Sequence, residues 1–205
     1  FKYEKAIERA IKIAPDIPEI NLARADYSYI IKGDINTAIS ETKLANSKRP
    51  HDAEILSSLS WLFSKKGDNE EALRLVQKAI EIDPKNFLIA DYGNLYAYNL
   101  GRYKEAEKWA DLEIQNNPEN SRGYVNTLAI ILNVYGDLNR AEFELNEAKK
   151  KVSMEKPQLD NIEQNISGYK RDYYQAIKLN ETNTYWRGKI YNYAFLYWRL
   201  NDIKT

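Results

Sequence analysis

The chain has 205 residues, 29% charged and 43% apolar, with only eight Gly and six Pro, a balance that fits a folded, helix-rich protein and excludes extensive disorder. Thirty basic side chains are cancelled by thirty acidic ones, so no net field draws nucleic acid or anionic lipid from a distance. The lack of Cys removes disulfides, thiolate nucleophiles and Cys-based metal sites, and the longest aliphatic run, Leu128 to Leu132, is far short of the roughly 20 residues that cross a bilayer.

Taken in chain order, YEKAIERAIKIAP from Tyr3 reads as the second helix of a helical hairpin, so residues 1–18 form a partial repeat. Four segments then align without gaps: KGDINTAISETKLANSKRP from Lys32, KGDNEEALRLVQKAIEIDP from Lys66, LGRYKEAEKWADLEIQNNP from Leu100 and YGDLNRAEFELNEAKKKVS from Tyr135. Gly33, Gly67, Gly101 and Gly136 lie 34, 34 and 35 residues apart, and Ala38, Ala72, Ala106 and Ala141 keep those intervals. Pro50, Pro84 and Pro118 repeat the period again.

Each element has a mechanical role. The Gly closes one helix by taking a left-handed backbone, and Asp34, Asp68 or Asp137 next to it caps a second helix, with Asp68 and Glu71 spaced as a capping box. The small Ala five residues on allows the two helices to approach closely, and Val76, Ala79, Ile80 and Ile82 extend an apolar stripe. The Pro then ends the pair.

Beyond Lys149 the period fades. Residues 156–186 read as a degenerate, irregular helical repeat, with helices expected at 158–165 and 169–179. Residues 187–205 read as the first helix of a further repeat that stops before its expected Ala, which suggests a piece of a longer protein. The aromatic crowding from Tyr169 to Trp198 fits either helix packing or a binding face.

Period, Gly, Ala and Pro together resemble the tetratricopeptide repeat family, with full repeats at 19–52, 53–86, 87–120 and 122–155 within 19–155. The resemblance implies an all-α, right-handed superhelical solenoid of antiparallel helix pairs. There are departures. The small residue expected at repeat position 8 is Ser60 or Ala129 in two repeats but Asp26 or Asn94 in the others, Gly93 suggests a one-residue shift in the third repeat, and Glu113 stands where Ala45, Ala79 and Ala148 do elsewhere.

In the resembled family, the inner groove is lined by positions 2, 5, 9 and 12 of the first helix. Carried over, these are Ile20, Ala23, Tyr27 and Ile30; Glu54, Ser57, Trp61 and Ser64; Leu88, Asp91, Leu95 and Tyr98; and Gly123, Asn126, Ile130 and Asn133. Tyr27, Trp61, Leu95 and Ile130 are expected to form an apolar stripe, with Asp91, Tyr98, Asn126 and Asn133 as flanking donors and acceptors. The implied function is a protein–protein interaction scaffold that binds a protein or peptide.

Two alternatives remain: a regulatory or sensor region of a larger bacterial signalling enzyme of cyclase or kinase type, and a peptide-sensing receptor. The basic clamp that grips chaperone tails is missing, and a groove without Lys or Arg disfavours an RNA-reading helical repeat. One His and no phosphate loop or hydrolase motif argue against an enzyme, and no cofactor or metal is implied. The compartment is open between cytoplasmic, the reading favoured, and periplasmic.

Overall fold

The computed structural model describes residues 2–14, 16–152, 161–164 and 166. The expected helix at 169–179, the further repeat at 187–205 and the aromatic stretch at 169–198 lie outside the described residues. Every regular element among the described residues is helical: α1 (Lys2–Ile13), α2 (Pro18–Asp26), α3 (Ile35–Lys48), α4 (Ala53–Lys66), α5 (Asn69–Ile82), α6 (Phe87–Asn99), α7 (Tyr103–Asn116), α8 (Ser121–Ile130) and α9 (Leu138–Lys151). Two π-helical turns, Tyr27–Ile31 and Ile131–Tyr135, continue α2 and α8. The chain forms two compact units, Phe1–Trp109 and Ala110–Thr205.

Capping explains why the second helices begin where they do. The carboxylates of Asp34, Asp68 and Asp137 accept from the backbone N–H of Thr37, Glu71 and Arg140 at 3.0, 3.1 and 3.0 Å, satisfying donors that the helix leaves free. Only half of the expected capping box forms, because the Glu71 carboxylate turns instead to the Arg74 guanidinium. Arg74 draws the Glu71 carboxyl below its usual range, with burial opposing. The preceding turn is closed at Gly67, whose φ of 94° is one that a residue with a Cβ rarely takes.

Packing follows from the small residues. Ala38, Ala72, Ala106 and Ala141 are fully buried, as are Ala45, Ala79 and Ala148. In the first unit α2 packs on α3 and α4 on α5, while α3 meets α4, α5 meets α6 and α4 touches α6. Each first helix is therefore held by its own partner and by the pair before it. Between α4 and α6 the buried Tyr96 hydroxyl lies 3.5 Å from Ser60 Oγ, and burial pushes the phenol up to about 12. The apolar stripe of α5 runs through the buried Val76 and Ala79 but stops short of Ile82, which is 39% exposed.

Two of the sequence departures have local solutions. Gly93 and Asn94 leave α6 in register: a Cβ on Gly93 would collide with the Trp109 indole, and Asn94 Nδ2 donates to the Ala106 carbonyl at 2.9 Å. In the second unit Glu113 is 1% exposed and its Oε2 accepts from Asn126 Nδ2 at 3.1 Å. Close contact there is permitted by Gly123, where a Cβ would stand 2.7 Å from Ile114. Leu128, Ile131 and Leu132 form one core cluster with Ala141, Leu145, Ile162 and Ile166, and residues 161–164 are helical, inside the expected 158–165.

The π turns mark where the repeat is one residue longer. From N-cap to closing Gly, Asp52 to Gly67 and Asn86 to Gly101 span 15 residues, but Ile17 to Gly33 and Asn120 to Gly136 span 16. Where the span is 15, the N–H groups of Asp68 and Arg102 bond the carbonyls of Phe63 and Ala97, five residues back. In the longer helices Asp34 and Asp137 reach Ser28 and Ile131, six back. A residue inserted into an α-helix is commonly absorbed as one π turn. The extra residue therefore sits inside the first helix and not in the linker, so α2 and α8 each start one residue further from their closing Gly than α4 and α6 do.

Candidate functional site

The early start of α2 changes which side chains its N-terminal part presents. Each residue advances an α-helix by about 100°, so a one-residue offset brings a different stripe to the same face. Counted from its own N-cap, α2 places Ala25, 4% exposed, at position 8, the place of the buried Ser60 and Asn94. The small-residue rule is satisfied there, and Asp26 moves to position 9, level with Trp61, with Tyr29 following at position 12.

A cavity of about 350 Å³ opens on this face of the first unit, lined by Asp26 and Tyr29 from α2 and its π turn, Ser57 and Trp61 from α4, and Tyr92 from α6. The Tyr29 and Trp61 rings meet edge to face at a centroid distance of 4.9 Å, which fixes both planes. Tyr92 stacks on the buried Tyr96 at 6.0 Å, so its ring is backed by the core. The Lys65 ammonium lies 5.3 Å above the Trp61 ring. Burial raises the Asp26 carboxyl above its usual range, and no Lys or Arg among the described residues pairs with it.

The residues expected from the carried-over pattern divide by helix. In α4, Trp61 and Ser57 line the cavity. In α6, Asp91, Leu95 and Tyr98 keep one helical face: Leu95 is 46% exposed, Asp91 is half-buried, and Tyr98 is half-buried with its ring edge on Tyr103 at 5.4 Å. In α2, Tyr27 does not line the cavity; it is half-buried, with the Lys32 ammonium 5.0 Å from its ring. In the second unit Ile130 is 1% exposed and belongs to the interior, Asn126 is half-buried and donates to Glu113, and Asn133 is exposed. Asp26, Tyr29 and Tyr92 were not among the expected residues. The evenly spaced caps Asp52, Asn86 and Asn120, 34 residues apart, carry the signal that α8 starts at Ser121, and Ala25 carries the same signal for α2.

Among the described residues the helices form an all-α protein of two-helix repeats, and a tetratricopeptide repeat family model matches one of them, residues 53–86. No curated protein sequence matches the chain. Among solved structures it is similar to MamA, at 20% identity and a TM-score of 0.62 over 72% of this chain and 85% of that one. It is also similar to PilW, a widely conserved type IV pilus biogenesis factor, at 19% identity and a TM-score of 0.70 over 87% of this chain and 83% of that one. Yeast Tom70 matches at 14% identity and a TM-score of 0.71, over 99% of this chain and 44% of that one.

Proposed function

We propose that the first-helix face of the unit Phe1–Trp109 is a docking groove for another polypeptide, and that the chain serves as an interaction scaffold. The observation that carries this reading is the cavity at Trp61: three rings, each held by a neighbour, surround an open space bordered by Ser57 and Asp26. Rigid aromatic side chains bury much area at little conformational cost, which makes them common anchors of binding surfaces. Asp91, Leu95 and Tyr98 extend the face along α6, with exposed Leu88 one turn before Asp91. The exposed Asn133 is assigned the same role in the second unit.

The test uses an unbiased library of displayed 12-residue peptides selected on the purified chain, with affinities of recovered peptides measured by fluorescence anisotropy. Trp61→Ala is expected to weaken the recovered peptides by tenfold or more while circular dichroism stays unchanged. Recovered peptides that bind Trp61→Ala as tightly as the parent chain would reject the groove.

A further inference from the structure

We propose that the cavity at Trp61 is a subsite for a single basic side chain, so that the partner polypeptide presents a lysine or arginine into the space between Asp26 and the rings of Tyr29, Trp61 and Tyr92. The inference rests on the groove reading above and specifies the chemistry of its occupant.

The carboxylate supplies the first part of the argument. Asp26 is an exposed residue that lines the cavity without an ion-pair or hydrogen-bond partner among the described residues, and the protein around it raises its carboxyl above the usual range. A carboxylate on a cavity wall is stabilised by a cation that enters the cavity, because the guest shields the pair from part of the solvent that screens it on an open surface. Another acid of α2 is placed differently: Glu19 pairs with Arg49 at 2.6 Å, whereas Asp26 has no such neighbour among the described residues.

The rings supply the second part. Aromatic faces attract ammonium and guanidinium groups, Trp most strongly, and the Lys65 ammonium already uses one Trp61 face at 5.3 Å. The edge-to-face contact with Tyr29 holds the indole in place for a second guest. The alkyl stem of a lysine or arginine can lie along the rings while its head reaches the carboxylate, a division of labour for which both side chains are built. Ser57 and Ser58 hydroxyls border the same cavity and can accept hydrogens that the carboxylate leaves over.

The charge of the surrounding face supplies the third. Glu54 lies on α4 one turn before Ser57 and Ser58 and is exposed, and half-buried Asp91 adjoins Tyr92 on α6. With Asp26 they outnumber Lys65, the ammonium that the same face carries over Trp61. An acidic peptide would meet repulsion here, and a purely apolar one would strand the Asp26 carboxylate.

The experiment compares selections from the same peptide library on the parent chain and on Asp26→Asn, which keeps the shape and removes the charge. The parent is expected to enrich lysine or arginine at one peptide position at least fivefold over the library frequency, and the Asp26→Asn chain to lose that enrichment. Replacing that lysine by norleucine in a recovered peptide is expected to weaken binding to the parent about tenfold, and to Asp26→Asn by less than twofold. Peptides that depend on Trp61 but show no basic preference, or the same preference with Asp26→Asn, would overturn the basic subsite while leaving the groove intact. A selection that recovers no Trp61-dependent peptide would overturn both.

Discussion

The first helices fall into two kinds. α4 and α6 run unbroken from N-cap to closing Gly, while α2 and α8 carry one more residue and absorb it in a π turn. The ends of all four are alike, since each closes at a Gly with positive φ and leads into a second helix with a buried Ala at its core-facing position. What differs is the stripe presented before the bulge. In α2 the offset moves Asp26 out to the cavity wall and Ala25 in against its neighbours; in α8 it moves Ile130 into the core. A single inserted residue thus changes the chemistry of a face while leaving the helix pair standing, because the bulge confines the rotation to one side of itself.

Two deletions sharpen this comparison most. Removing Ala23, before the bulge, restores the 15-residue span but forces Asp26 toward the buried position 8. The expected loss is on the order of 3 kcal/mol or more, the cost of taking an unpaired polar group out of water. Removing Ile31, in the bulge itself and 61% exposed, restores the same span with Asp26 and Tyr29 still facing the cavity, so stability is expected to stay within about 1 kcal/mol of the parent. Urea unfolding of the two equal-length chains measures both, and equal losses would show that the bulge does not set the register.

Within the unbroken class, Gly93→Ala tests how α6 accommodates Trp109. The added methyl meets the indole, and overpacking of this kind is expected to cost about 1–3 kcal/mol in urea midpoint-derived stability. A neutral result would mean that the ring moves aside freely.

The smallest effect is expected at the start of α2. Asp52, Asn86 and Asn120 cap their helices through side-chain oxygens, whereas Ile17 offers none. Ile17→Asp is expected to raise the thermal midpoint, with a gain of about 0.5–1 kcal/mol if α2 starts at Pro18. Were the helix to start one residue later, as a uniform 34-residue count requires, the same substitution would bring no gain.

The sequence by itself determined the helix pairs. Gly, Asp, Ala and Pro each act locally, through positive φ, a capped N–H, a close approach or a missing donor, so their spacing could be read without knowing any neighbour. Trp61 was legible for the same reason, since α4 holds the uniform period throughout. Only the tertiary structure decided where the thirty-fifth residue goes. A linker and a π turn can both absorb it, and the choice depends on whether Ala25 or Asp26 is pressed against the adjoining helices, and Leu128 or Ala129 likewise. Burial energies across a packed interface make that choice in α2, where Ile17 offers no side-chain cap; in α8 the cap Asn120, 34 residues after Asn86, already marks it. That is why Asp26, Tyr29 and Tyr92 emerged as neighbours only once the helices were assembled.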